Sequence, residues 1–179
     1  TIAVGTADRS EWFIDALKRV APEGFQVNLA VIPELAYWSD SALSTDEAAE
    51  RIKKALLSLS HSNALLWAHN PTLGKNPAYA RAMRLIASEE PLRPIFMHVH
   101  DSAEQGRWPN LGLMRSELPE TPYFISQNTR WLTINKTDES FFSHAGMPNG
   151  FLNYFPDIIS RKRASDNCNK SQIESAISE

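Results

Sequence analysis

Residues 64–68, Ala-Leu-Leu-Trp-Ala, form a near-continuous apolar run that stops abruptly at His69 and Asn70. A strand apolar on both sides of its pleat needs cover on both faces, which is the situation of a central strand in a parallel sheet. The flanking segments keep that alternation of strand and helix. Ile2 to Thr6 is a short apolar run, and Trp12, Phe13, Ala16, Leu17 and Val20 follow at helical spacing behind Asp8 and Ser10, either of which can cap. Gly24 ends that helix, and Phe25, Val27, Leu29 and Val31 alternate with Gln26, Asn28 and Ala30 as a half-buried strand closed by Pro33. Ser44 and Glu47 make a capping box for a second helix with the stripe Ala48, Ile52, Ala55, Leu56 and Leu59. Asn76 and Pro77 suit the cap and first residue of a third, with Tyr79, Met83 and Ile86 on one face. Pro94 to Val99 predicts the next strand, and the Gly-, Pro- and charge-rich stretch Asp101 to Pro119 reads as a connection. Short runs at Tyr123 to Ser126 and Trp131 to Asn135, a helix around Phe141 and Phe142 ended by Gly146, and a last strand at Phe151 to Phe155 complete the pattern.

Parallel neighbours need a crossover, and the crossover is usually helical. The expected fold is therefore α/β and Rossmann-like, a mostly parallel sheet of about six to seven strands with helices on both faces. At 179 residues and 42% hydrophobic, the chain has enough material for one sizeable core and too little for two. Residues 1–157 are expected to form that domain, and 158–179 a linker and the start of a following region; both ends read as cut. A charged fraction of 22% and a formal charge of -3 favour neither disorder nor a nucleic-acid partner. The single Cys168 excludes an internal disulfide framework and fits a cytoplasmic location. No apolar run reaches the ~20 residues of a transmembrane helix. Arg161-Lys162-Arg163 is basic enough for peripheral contact with an anionic membrane surface, or simply for a solvated helix start.

Ligands of open parallel sheets sit beyond the carboxyl ends of the strands, and two polar clusters fall there. In His69-Asn70-Pro71-Thr72-Leu73-Gly74-Lys75-Asn76, Gly74 permits close backbone approach and Lys75 supplies a cation. The helix opening at Asn76 offers amide donors to a phosphate or a sugar hydroxyl. The same residues also serve as turn and cap, with Asn70 and Asn76 satisfying backbone groups and Lys75 solvated. In His98-Val99-His100-Asp101, the two histidines point to one face of a strand, and His100 and Asp101 enter the cleft at its end. Such a pair can grip a metal, or one imidazole can bind a substrate hydroxyl while Asp101 fixes its tautomer. Glu104 and Arg107, three apart, are placed to pair on one helical turn in support of the site. Tyr37, Trp38, Trp108 and Phe124 lie near loops where rings can stack on sugars or pack on the core.

Together these clusters resemble bacterial GT-B glycosyltransferases, in which one strand ends in a His-Asn-x-x-Leu-Gly-Lys-Asn-Pro loop and a later one in His-Asp followed by Glu and Gly-Arg. Trp131 to Asn135 with Asp138, then Ala145-Gly146-Met147-Pro148, are similar to the family's later strand and turn. The resemblance, of the glycosyltransferase family 4 kind, covers about Asn63 to Ile159. It implies the N-terminal half of a two-domain enzyme that transfers a hexose from a nucleotide sugar, with retention favoured and no metal or other cofactor required. It further implies His100 and Asp101 as catalytic residues, with His69, Asn70, Gly74, Lys75, Asn76, Glu104, Arg107 and Asn135 around the substrates. The implied partners are the nucleotide sugar, an acceptor the sequence does not name, and a C-terminal domain carrying most of the nucleotide site. The Gly-Gly loop that relatives place after the first strand is absent from Gly5-Thr6-Ala7-Asp8. Two other readings stand beside this one: a metal-dependent hydrolase using His69, His98, His100 and Asp101, and a non-catalytic domain that binds a small ligand.

Overall fold

The computed structural model describes residues 1–8, 10–38 and 42–156; the expected linker at 158–179, the Arg161-Lys162-Arg163 run and Cys168 lie outside them. In chain order the elements are β1 (Ile2–Val4), α1 (Ser10–Val20), β2 (Leu29–Val31), α2 (Thr45–Ser58), β3 (Leu66–His69), α3 (Pro77–Glu89), β4 (Ile95–Val99), α4 (Trp108–Glu117), β5 (Thr129–Thr133), α5 (Lys136–His144) and β6 (Leu152–Tyr154). Both expected caps form. The Ser44 side chain accepts from the Glu47 amide in a complete capping box, and the Asn76 side chain accepts from the Tyr79 amide ahead of Pro77.

The α/β class with parallel strands holds, but the single sheet of six to seven strands does not. The described residues form two sheets, β1-β2 and β3-β4-β5-β6, with every pair parallel. The edges of β1 and β3 do not join; a cavity of about 690 Å³ separates them, lined by Thr1 to Gly5 on one side and Ala64 to His69 on the other. β2 is also shorter than the alternation predicts. Its ladder ends with the three residues of β1, so Phe25 and Val27 have no partner strand beside them and Phe25 is exposed. Tyr123 to Ser126 is not a strand: the Phe124 carbonyl accepts from Trp131 Nε1 at 2.9 Å, and the segment packs as a lid over the core. The stretch read as a connection contains α4, opened by Pro109 in its first turn.

The main core lies between the four-stranded sheet and its helices, with Met83 and Ile86 of α3 against Ile95, Met97 and Val99 of β4, Trp131 of β5 and Leu152 of β6. A second cluster joins Ala48, Ala49 and Ile52 of α2 to Ala78 and Ala82 of α3, where small side chains let the two helices approach closely. Ala3 of β1 packs on that cluster, so α2 covers one face of the β1-β2 pair. The crossovers β2-α2-β3, β3-α3-β4 and β5-α5-β6 all progress in one direction across the sheets, and β1-α1-β2 progresses in the other. Right-handed crossovers then place α1 on the face opposite α2 and α3.

Candidate active site

The apolar β3 core run drives the chain to the carboxyl edge of the sheet, where Asn70 must turn it. Asn70 adopts φ 51°, a left-handed conformation that asparagine tolerates better than most residues. Its amide extends the ladder to the His98 carbonyl at 2.7 Å, while its Oδ1 accepts from the amides of His100 at 2.7 Å and Asp101 at 3.1 Å. One side chain thus fixes the exit of β4 to the exit of β3. Gly74 follows at φ 79°, and a Cβ there would lie 2.7 Å from the Asn110 carbonyl oxygen. Asn110 in turn donates to the Leu73 carbonyl at 3.0 Å, docking α4 on the turn. No residue but glycine fits both demands.

His69 and His98 are register partners on β3 and β4, and His100 lies one residue beyond β4 on the same face as His98. The His100 ring centroid sits 4.4 Å from both the His69 and the His98 ring. His100 Nε2 is 3.3 Å from His98 Nδ1, and one nitrogen of each of the three rings falls within 4.8 Å of the others. His98 is buried, His100 half-buried and His69 exposed, so the cluster opens to solvent along one side. Imidazoles so placed can donate to and accept from sugar hydroxyls. Three nitrogens at this spacing also match a trio of metal ligands, since tetrahedral zinc with bonds of ~2.0–2.1 Å sets its ligand nitrogens about 3.3 Å apart. Asp101 does not join that trio; its carboxylate meets Arg107 Nη2 at 3.0 Å.

The remaining predicted residues distribute around this rim. Lys75 Nζ lies 3.0 Å from the Tyr37 hydroxyl and over its ring, so the exposed Tyr37 and Lys75 form one polar-aromatic corner. The Asn76 side chain, besides capping α3, donates to the carbonyls of Glu34 and Ala36 and ties the 34–36 turn to the sheet. Glu104 and Arg107 do not pair with each other: Arg107 goes to Asp101, and Glu104 accepts from the Tyr123 hydroxyl at 2.7 Å. Burial, followed by that carboxylate, raises the Tyr123 pKa well above the ordinary phenol value, which keeps the proton in place as a donor to Glu104. Asn135 caps α5 one strand away, accepting from the Asp138 amide and donating to its carboxylate. It is linked to the rim through Gln105, which donates to Asp138 and accepts from the Ser102 amide. Phe124 is core, while Trp108 stands exposed at the start of α4.

The sequence has a relative among curated proteins. The chain is 32% identical over 146 residues to mannosylglucosyl-3-phosphoglycerate synthase of Petrotoga mobilis. The match takes in 78% of this chain and 28% of that synthase, so the chain spans little more than a quarter of the length of the curated relative it matches. No family model matches the chain, and no solved structure matches it at a significant level.

Gln105 and Asn110 escape the sequence reading. Both act across long separations, Gln105 on Asp138 and Asn110 on Leu73, and the only local sign was Pro109, which suits a first helical turn. No helix among the described residues is long and apolar enough to cross a membrane.

Proposed function

We propose that the chain is the acceptor-side, N-terminal part of a two-domain GT-B glycosyltransferase of the family 4 kind, acting in the cytoplasm to transfer a hexose from a nucleotide sugar with retention. The observation that carries the proposal is the meeting of His69, His98 and His100 over the carboxyl ends of β3 and β4, where ligands of open parallel sheets bind. The relative supports it, because its name describes the making of a sugar conjugate, mannosylglucosyl-3-phosphoglycerate. In this reading His100 contacts the donor sugar, and the Asp101–Arg107 pair holds the loop that carries it. Asn70 aligns the two strand exits, and Gly74 and Lys75 line the acceptor side. Lys75 is exposed at that corner, so an anionic acceptor such as a phosphorylated acid matches its charge. Hydrogen-bond donors fixed before the reaction stabilise the charge that develops as the glycosidic bond breaks, without reorganising. The rest of the enzyme supplies the nucleotide pocket.

Thermal shift of the full-length protein against a panel of nucleotide sugars tests this, since a true donor binds only the folded form and raises Tm. One nucleotide sugar that raises Tm and is turned over in the presence of a sugar or phosphoglycerate acceptor is the expected result. No shift with any donor would remove the transferase reading.

The 3.3 Å separation of His98 Nδ1 and His100 Nε2 favours a second reading, a metal-dependent hydrolase whose ion is held by His69, His98 and His100. Elemental analysis separates the two. Stoichiometric zinc or manganese lost on replacing His98 and His100 would favour the hydrolase; metal-free protein that still turns over a nucleotide sugar would exclude it.

A further inference from the structure

We infer that the cavity between α4 and the 118–122 segment is a binding site for a small neutral polyhydroxylated molecule, a short polyol or a single monosaccharide. The inference is independent of the chemistry assigned to the rim.

The cavity measures about 310 Å³ and lies behind the 70–74 turn, with Thr72, Ala103 and Glu104 among its lining. His69, Lys75, His98 and His100 take no part in that lining, so the cavity is distinct from the rim. Pockets for small ligands start at about 300 Å³, which limits the occupant to a few carbons or one sugar ring. Its walls are held by bonds already made. The Asn110 side chain docks the start of α4 on the Leu73 carbonyl. Arg84 pairs with Glu120 at 3.2 Å and donates to the Thr121 carbonyl, fixing the 118–122 segment. The Ala103 amide donates to the Thr72 carbonyl at 3.3 Å. A pocket formed before its ligand arrives binds without the cost of ordering its walls.

Two polar groups in the lining call for a partner. Thr72 is 1% exposed, and its hydroxyl, although beside that of Tyr123, closes no hydrogen bond of acceptable geometry. The single Tyr123 proton goes to Glu104 Oε2 at 2.7 Å, and burial keeps it on the phenol. Glu104 Oε1 accepts from no group among the described residues. A buried hydroxyl without a partner costs free energy, which a hydroxyl of a bound molecule recovers.

The lining also sets the charge of the occupant. A carboxylate only accepts and a threonine hydroxyl does both, so Glu104 and Thr72 together match a molecule with several hydroxyls. Glu120 is neutralised by Arg84, and Glu104 is offset by Arg115 within the same lining, so neither an anion nor a cation is favoured. Leu111, Met114, Leu118, Pro119 and Pro122 supply apolar walls for the C–H faces of a carbon chain or ring. Mostly apolar walls with a few convergent polar groups are the pattern of small-molecule sites.

Methyl-resolved NMR of the full-length protein, titrated separately with glycerol, erythritol and glucose, tests the inference. At least one of these probes should shift the Leu111, Met114 and Leu118 methyl signals saturably at millimolar concentration, and leave that of Met97, inside the main core, in place. Which probe responds separates an open chain from a ring. No shift with any of them, or shifts that spread over the whole protein without saturating, would overturn the inference. Thr72→Val keeps the shape of the side chain and deletes its hydroxyl. It should weaken the saturable binding by about 10-fold, the scale of one hydrogen bond, and leave Tm unchanged or higher. Unchanged affinity would contradict the site, and so would a fall in Tm, which would mean that the hydroxyl is already satisfied in the empty protein.

Discussion

The four strands from β3 to β6 and the β1-α1-β2 unit are built from similar sequence patterns but are packed very differently. In the first, Ile95, Met97 and Trp131 are completely buried between helices. In the second, Leu29 and Val31 of β2 remain exposed and α1 buries none of its described side chains. Both histidine-bearing strands belong to the packed region. The difference teaches that the rim draws its rigidity from the well-filled core beside it, whereas the β1-α1-β2 unit leaves much of its apolar surface exposed.

Trp131→Ala presses hardest on that contrast. The side chain is fully buried and its Nε1 donates to Phe124, so its loss should cost about 3–5 kcal/mol, measured by denaturant unfolding of the full-length protein. A cost below about 0.5 kcal/mol, the range of ordinary surface substitutions, would mean that the two regions are not differently packed. Gly74→Ala should come next, at about 1–3 kcal/mol, because a methyl group at φ 79° meets the Asn110 carbonyl. An unchanged Tm there would show that the turn is looser than its geometry. Ser44→Ala, at the exposed cap of α2, should cost only about 1 kcal/mol. That value sharpens the comparison by calibrating a purely local feature against the core.

Much of the packed region was legible because its signals are local. The Ser44 and Asn76 caps and the Pro77 start each report on a few neighbouring residues, and each formed, whereas the Ala64–Ala68 run, read as a central strand covered on both faces, became β3 at the edge of its sheet with Leu65 and Trp67 exposed. The side-by-side placement of His98 and His100 follows from strand alternation alone. What was not legible depends on distant partners. The alternation from Phe25 onward predicts a longer strand than β2, since periodicity cannot tell how long the neighbouring β1 is. The division into two sheets is hidden for the same reason: nothing in β1 or β3 states which edges meet. At the rim, Glu104 and Arg107 have the spacing of a pair, but Tyr123, 19 residues away, takes Glu104 and leaves Arg107 to Asp101. The resemblance to GT-B enzymes reached the family of chemistry that the Petrotoga relative's name also suggests, from residues that cluster on one edge of the sheet.

The rim itself is tested most directly by nucleotide-sugar turnover of the full-length protein with and without His100. His100 lies half-buried beyond the end of β4 and outside the hydrophobic clusters. His100→Ala should therefore lower kcat by about 100-fold, the scale of removing one fixed transition-state hydrogen-bond donor, while Tm stays within a degree or two of wild type. Unchanged kcat in a folded variant would contradict a catalytic rim at the carboxyl ends of β3 and β4.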